Sequence, residues 1–565
     1  MAVWDRFSIV PAAFAMREQP QEIDPRSVPE GISHADDWII FRGGGEIRVY
    51  DRICDHNGGR LIFNNGRVSC PMHGWELDAA TGRYKNVECT KVPLVVAVDD
   101  PASAAPVRFA LKSMSRSLAG YSKPLPVEIE FLNHACLIIR TEGLSFATDP
   151  WLLGPAFCNG WWLALPSPAG AFEKINACDF LYISHNHPDH LHRETLERVR
   201  KDMPILTPAF DSGSTARYLE DLGFVSILAA PFDAALRDDA AEISLSVLKS
   251  GDFRDDSGLL VEIGGFSALL AVDANFIDFY RFPEGLTVFA SSFASGASGF
   301  PLCFDNYDER ERQQIIIRNR NTVRYLASRI LEKAAPAAFL PYAGFFSEAA
   351  PRDSYIKEHN RKNAVSDYSA ICEDLGVRLL DVTVDTRFLF EGRDFRTSLP
   401  RSGTVLDQAP MEAYLAAPPP GGSALDPAEV ATYFLGSGYA KPLNLLVRLT
   451  DDAFEEGEEA FFCRFDEKGP GSVTPLNRAD YEAYLLSLDR FLSLRIRRNE
   501  FIRVIRLGLP WEDLSIGFQC RVKRQPNIYH SDFWYHFSNV YVNDKVKRAS
   551  LACDACINIQ HEFVV

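Results

Sequence analysis

Two periodicities divide the chain. Over residues 1–110, short apolar runs such as Trp38-Ile39-Ile40-Phe41 and Val92-Pro93-Leu94-Val95-Val96-Ala97-Val98 alternate with turn-forming clusters, among them Gly43-Gly44-Gly45 and Asn64-Asn65-Gly66. Apolar runs of strand length between Gly, Asn and Asp predict an all-β domain. The stretch that follows is rich in Pro, Ser and Ala, and 111–126 reads as a linker. Over 127–400, strand-like runs (127–132, 135–140, 144–148, 180–184, 245–248, 259–263, 268–272, 288–291) interleave with helix-like stretches (193–201, 214–222, 309–333). Strands and helices mixed over this length predict sheets in a sandwich covered by helices. Pro418-Pro419-Pro420-Gly421-Gly422 marks a second break. Beyond it, 481–507 is long, rich in Leu and Arg, and predicted helical, so 401–565 is expected to be a mainly helical C-terminal region of unknown role. The expected class is multidomain α+β.

Bulk properties narrow the function classes. At 565 residues the chain exceeds what one core supports. A net charge of −17 argues against a general nucleic-acid binder and against a basic membrane-docking surface. No run reaches the roughly 18–20 apolar residues of a membrane span. The opening MAVWDRFSIV places Asp5 early and has no basic stretch before an apolar core, so no signal peptide is expected. The 12 cysteines are scattered, mostly in apolar runs, which suits buried thiols in a reducing, cytoplasmic setting. Cys553-Asp554-Ala555-Cys556 is a lone pair without a partner motif.

The chemistry sits in two motifs. Cys54-Asp55-His56 is followed, after thirteen residues, by Cys70-Pro71-Met72-His73. Two Cys and two His in this arrangement, with Gly58-Gly59 and Gly74 allowing backbone to approach sulfur, form the ligand set of a Rieske [2Fe–2S] cluster. A structural zinc finger would place both His on one long apolar helix, and this spacing does not. The second motif is His185-Asn186-His187-Pro188-Asp189-His190, directly after the apolar run Phe180-Leu181-Tyr182-Ile183. Alternation puts His185 and His187 on one side, and Asp189-His190 can turn back to a second metal position. Unmetallated, so many polar groups at a strand end would be costly to bury. His192 is expected to face solvent or to support the site from outside. Asp149, Asp252 and Asp273 end strand-like runs and read either as metal-binding carboxylates or as turn formers. His134 reads equally as a turn histidine and as a functional one. The segment 296–301 is either an anion-cradling nest or an ordinary loop. An electron carrier beside a metal site with open positions suggests oxygen activation.

Longer blocks surround these motifs: 149–162 (DPWLLGPAFCNGWW), 182–191 (YISHNHPDHL), 291–301 (SSFASGASGFP), 341–346 (PYAGFF) and 355–363 (YIKEHNRKN). Over roughly 35–400 the sequence resembles the CMP-N-acetylneuraminate hydroxylases, which join a Rieske domain to a metallo-β-lactamase-like domain of αβ/βα architecture. The resemblance implies cluster ligands Cys54, His56, Cys70 and His73. It implies a catalytic metal motif of His185, His187, Asp189 and His190, with Asp273 as bridging carboxylate and Asp252 as a further metal residue. The superfold usually supplies one more His near 250–252 and another near 341–343, and neither is present. A harder donor set suits non-haem iron, one ion or two, better than manganese or zinc. The implied activity is a monooxygenase that hydroxylates the N-acetyl methyl of a CMP-linked sialic acid or a related N-acyl or nucleotide-linked substrate. It would use O2 and a soluble electron donor, a cytochrome-b-type or ferredoxin-type carrier with an NAD(P)H reductase. Trp161, Trp162 or Tyr342 would stack on a base, and the 296–301 loop, with Ser298, would meet a phosphate. The alternatives are a hydrolase using metal-bound hydroxide, with the Rieske domain as a redox sensor or structural module, and an electron-transfer protein without a substrate.

Overall fold

A computed structural model describes residues 3–563 apart from 35–37, 53–60, 65, 70–74, 86–88, 99–105, 211, 233, 251–254, 275–276, 278–281, 383–385, 393, 399–402, 468 and 539–561. Its centre is a sandwich of two eight-stranded sheets. One runs Ile227–Ala230, Ile205–Pro208, Phe180–Tyr182, Leu144–Thr148, Cys136–Thr141, Pro126–Asn133, Arg387–Glu391, Asp394–Ser398. The other runs Ser8–Pro11, Ala234–Asp238, Ile243–Lys249, Ser257–Ile263, Phe266–Val272, Val288–Ser291, Ala338–Pro341, Arg378–Leu379.

The pleat explains why nearly every strand residue is apolar. Val127, Ile129, Phe131, Leu137 and Ile139 enter the core between the sheets with Leu259, Val261, Ala268 and Leu270. Their neighbours Leu132, Cys136 and Ile138 turn outward beneath Ala171, Ile175, Leu196 and Leu219 of the covering helices. On the far side, Leu260 and Leu269 meet Ile316, Ala327, Ile330 and Leu331 of helix Glu309–Ala334. Strands buried on both faces read as continuous apolar runs.

The N-terminal β-domain holds two four-stranded sheets. In one of them Ile62, Ser69 and Glu76 stand side by side in register. In sequence, 53–60 and 70–74, which carry the expected cluster ligands, adjoin these strands. Cys54, His56, Cys70 and His73 themselves lie outside the described residues, as do Asp252, Cys553 and Cys556.

Two boundaries differ from the sequence reading. Ser8–Pro11 pairs with Ala234–Asp238, so this strand belongs to the central sandwich and not to the β-domain. The expected linker starts as strand: Val107–Arg116 pairs along its length with Phe14–Ile23. Composition hid this pairing because a ribbon needs backbone partners more than apolar side chains. The rest of that stretch is tied down, with the amides of Ser122 and Lys123 donating to Glu242 Oε2 at 3.0 and 2.9 Å.

The C-terminal region has the expected helices, among them Pro427–Gly436, Arg478–Ser487 and Arg498–Leu507, set around a five-stranded sheet. The stretch 481–507 is helix, strand, helix. Phe491–Arg497 is a strand because Leu492, Leu494 and Ile496 alternate into a core, a period that Leu and Arg content alone conceals. That core is shared. Trp151, Phe157 and Trp161 of the sandwich lie in one apolar cluster with Tyr433, Leu445, Trp511 and Phe518 of the C-terminal region. A large apolar interface fixes the two relative to one another.

A buried ion network crosses the same interface. Arg497 Nη1 donates to Asp353 Oδ1 at 2.6 Å and to Gln519 Oε1 at 3.0 Å, and Arg352 Nη2 donates to Glu500 Oε1 at 2.9 Å. Burial pushes the Asp353 carboxyl up and the Arg497 guanidinium down, so each ion is tolerated only because the other is there. Arg497→Leu should therefore cost about 3–5 kcal/mol, and Arg497→Leu with Asp353→Leu much less. Chemical unfolding followed by tryptophan fluorescence checks this; equal losses for the single and double variants would show that the pair is not the source of the cost.

Candidate metal centre

The site forms where strand ends from both sheets meet. Leu144–Thr148 and Phe180–Tyr182 are parallel neighbours, so both release their chains at the same edge. The first delivers Asp149 and the second Ser184 through His190. From the facing sheet, Phe266–Val272 delivers Asp273, and Asp256 immediately precedes Ser257–Ile263. Pro126–Asn133 delivers His134. Backbone at three of these corners is left-handed: His134 has φ 44°, Asp149 φ 33° and Val272 φ 53°. Such strain persists where the surroundings over-determine it, as at functional sites.

Two groups of donors result. His185 Nε2 and His187 Nδ1 lie 3.0 Å apart, and Asp256 Oδ1 is 3.8 Å from His185 Nε2. His190 Nε2 lies 3.3 Å from Asp189 Oδ2 and 3.4 Å from Asp273 Oδ2, and His134 Nε2 lies 3.2 Å from the same Asp189 oxygen. His185 Nε2 is also 4.0 Å from Asp273 Oδ2, which makes Asp273 the carboxylate between the groups. Outer partners orient the ligands. Ser184 Oγ is 2.9 Å from His185 Nδ1, and Asp149 Oδ2 is 3.3 Å from His190 Nδ1. Asp149 is fixed in turn by the Ser184 amide, which donates to its Oδ1 at 2.7 Å.

Divalent metal ions fit this donor set. Among the described residues, both ring nitrogens of His190, Asp189 Oδ1, Asp149 Oδ2 and His134 Nδ1 are buried without a hydrogen bond of good geometry. Leaving so many polar atoms unsatisfied is expensive, and a cation removes the cost. Electrostatics agree. Burial works against a charged His190, yet Asp189, Asp149 and Asp273 prevail and hold its imidazolium well above the usual histidine range. Burial, then repulsion from His190 and His187, drives His185 well below that range. The carboxylates are thus arranged to hold positive charge here. Bound metal would supply that charge with the imidazoles neutral. One imidazole pair with a carboxylate and a second carboxylate-rich group is a hard set, suited to iron or manganese.

The structure brings together His185, His187, Asp189, His190 and Asp273. Asp256, four positions beyond Asp252, completes the first group; nothing in the Asp255-Asp256 pair marked it out in the sequence. His134 and Asp149, ambiguous in sequence, both face the centre. His192 is buried and acts structurally: its Nδ1 accepts from the Thr195 amide at 3.2 Å at the start of helix Arg193–Glu197, its Nε2 meets Pro155 O at 3.2 Å, and burial lowers it to about 4.

A cavity of about 220 Å³ opens onto His187, Asp189, Asp256 and Asp273. Trp161 and Ser298 line it; Trp162 and Tyr342 do not. Trp162 turns its edge toward Tyr414, ring centroids 5.9 Å apart, while Trp161 stacks on Phe346 at 3.7 Å. Tyr342 is fully buried. Helix Glu512–Ile516 of the C-terminal region supplies Glu512 and Ile516 to the wall, a contribution with no sequence signal.

Chain segments 16–100 match the model of the Rieske [2Fe-2S] domain, and 128–252 match that of a beta-lactamase superfamily domain. The chain therefore joins those two domains. It is 28% identical to the cytidine monophosphate-N-acetylneuraminic acid hydroxylase of Xenopus laevis over 90% of this chain and 91% of that one. It is 29% identical to the Danio rerio hydroxylase over 91% and 92%. At that coverage the similarity reaches into the C-terminal region.

Removing the Asp256 carboxylate should cost one metal equivalent. Metal analysis of dialysed Asp256→Ala protein is expected to show cluster iron unchanged and one fewer additional ion than wild type. A full metal complement would rule out Asp256 as a ligand.

Proposed function

We infer that this chain, an enzyme whose full-length relatives are cytidine monophosphate-N-acetylneuraminic acid hydroxylases, is a Rieske-dependent monooxygenase acting on the N-acyl group of a CMP-linked sialic acid. The observation that carries the reading is a buried imidazole–carboxylate centre opening onto a cavity, in a chain that also holds a Rieske domain. Iron bound at the centre would activate O2 using electrons passed on by the [2Fe–2S] cluster of Cys54, His56, Cys70 and His73.

The protein's own share is binding and orientation. At about 220 Å³ the cavity is smaller than the 300–1,000 Å³ usual for a whole ligand, so only part of a nucleotide sugar enters. Its walls are Phe157, Trp161, Phe346 and Ile516, with Ser292, Ser295, Ser298 and Asn319 as polar points. Among the described residues lining it there is no Lys or Arg, and the metal side is acidic. Such a pocket takes a neutral acyl end and leaves phosphate and nucleoside outside. This supports Ser298 as a contact to the sugar or acyl amide, and Trp161 as the aromatic surface beside it. The apolar wall keeps bulk water from the reacting carbon.

The electron donor on this reading is a soluble carrier, cytochrome-b-type or ferredoxin-type, served by an NAD(P)H reductase, and the setting is cytoplasmic. No helix among the described residues is long and apolar enough to cross a membrane.

With CMP-N-acetylneuraminate, a reductant and labelled O2, the product should be the N-glycolyl sugar carrying one labelled oxygen atom, detected by mass spectrometry. His187→Ala should keep the cluster's spectrum and form no product. Turnover of a substrate without O2 or reductant would favour a hydrolase instead. In the same assay Trp161→Leu should raise KM several-fold and Trp162→Leu should leave it unchanged; the reverse order would displace the acyl end from this cavity.

A further inference from the structure

We propose that Glu512, brought to the centre by the C-terminal domain, is a positioning residue for His187. Its carboxylate faces Nε2 and so favours the tautomer with the proton there, leaving Nδ1 for the metal position that His187 shares with His185 and Asp256. The inference rests on the metal-centre reading above and adds a role for the C-terminal domain within it.

The two nitrogens of His187 face different surroundings. Nδ1 lies 3.0 Å from His185 Nε2, and two lone-pair donors that close are arranged to share a cation. Nε2 instead faces Glu512 Oε2 at 3.9 Å. The second nitrogen of a metal-bound imidazole almost always donates to a carboxylate, carbonyl or water, which fixes tautomer and ring orientation. Two of the other imidazoles show the same division: His185 has Ser184 Oγ at its Nδ1, and His190 has Asp149 at its Nδ1. Glu512 is the group that stands in this place for His187.

Glu512 has little freedom to be elsewhere. Ser538 Oγ donates to its Oε2, and Asn186 Nδ2, from the metal motif itself, donates to Ser538 O at 2.9 Å. Trp161 Nε1 donates to Ile516 O at 3.1 Å, at the end of the same helix. Beyond that helix, Gly160 and Gly517 approach so closely that a Cβ on Gly160 would lie 2.0 Å from Gly517 O. The C-terminal domain is therefore locked onto the edge of the centre, and the carboxylate it carries comes with it.

The test uses the full chain with its cluster retained and Co(II) as the probe at the second centre. Co(II) affinity is measured by competition with a chromophoric chelator, and the exchangeable imidazole N–H signals by paramagnetic proton NMR. Glu512→Ala should weaken one Co(II) position roughly 10–100-fold and remove one N–H signal through fast exchange. Glu512→Gln, whose amide oxygen still accepts, should keep the signal and bind Co(II) within a few-fold of wild type. If Glu512→Ala does not fold, Glu512→Met, which fills the same space but cannot accept the proton, takes its place with the same expected losses. Wild-type affinity and signals in Glu512→Ala would overturn the proposal. Glu512→Gln binding as weakly as Glu512→Ala would overturn it in favour of direct coordination. His185→Ala separates the two levels of inference. If it leaves Co(II) binding intact, the metal-centre reading itself fails; if it abolishes one position while Glu512→Ala changes nothing, only the positioning role fails.

Discussion

Four carboxylates and four imidazoles crowded at one edge of a sandwich are the constraint on which the rest of this structure depends. Asp149, Asp189 and Asp256 are buried, and the Asp273 side chain is 27% exposed, on the cavity side. Without positive charge among them they would repel one another in a medium that screens poorly. Holding them together takes a rigid frame. The frame consists of strands buried on both faces, corners with left-handed backbone, and outer partners such as Ser184 that leave the ligating atoms little choice of direction. The strand ends meet at one edge because Leu144–Thr148 and Phe180–Tyr182 run parallel while the second sheet is pressed face to face across Val127, Leu137 and Leu259.

The C-terminal region belongs to the same mechanical unit. Its core is continuous with that of the sandwich, and the Arg497–Asp353 pair lies in the joint. An ion pair so deeply buried is a poor source of stability but a strict one, since only one docking geometry satisfies it. The interlock of Gly160 with Gly517 imposes the same demand sterically. Both place helix Glu512–Ile516 against the open side of the centre, where an uncovered metal would otherwise face water.

Much of this was legible in the sequence, and the part that was not has a physical reason. Continuous apolar runs announced the sandwich because strands buried on both faces need no alternation. His185 to His190 announced the centre because closely spaced ligands all leave one strand end. Asp256 did not announce itself, since a ligand that enters from the opposite sheet shares no local spacing with the others. Glu512 lies more than three hundred residues from the motif it faces and sits in a five-residue helix with no distinctive pattern. Trp161 and Trp162 were interchangeable on paper, and only the facing of adjacent residues on an extended chain decides between them. The strand Phe491–Arg497 was hidden by its Leu and Arg content, though its alternation was present in the sequence.

Charge neutrality bears on how many ions the centre holds. With the imidazoles neutral, Asp149, Asp189, Asp256 and Asp273 bring four negative charges into a largely buried volume. One divalent ion would leave two of those four charges uncompensated, which is costly in a site largely shielded from water. Two divalent ions would offset those four charges, and the donors already fall into two groups with Asp273 between them; Glu512, 3.9 Å from His187, adds a fifth carboxylate at the rim. In hydrolases of this superfold, imidazoles in place of some of these carboxylates would leave a more electrophilic metal pair, better at acidifying water. A carboxylate such as Asp256 in place of an imidazole would make a bound pair less electrophilic and better able to stabilise a higher oxidation state. The same substitution that weakens the case for hydrolysis strengthens the case for redox chemistry, which is the purpose a Rieske domain in the same chain would serve.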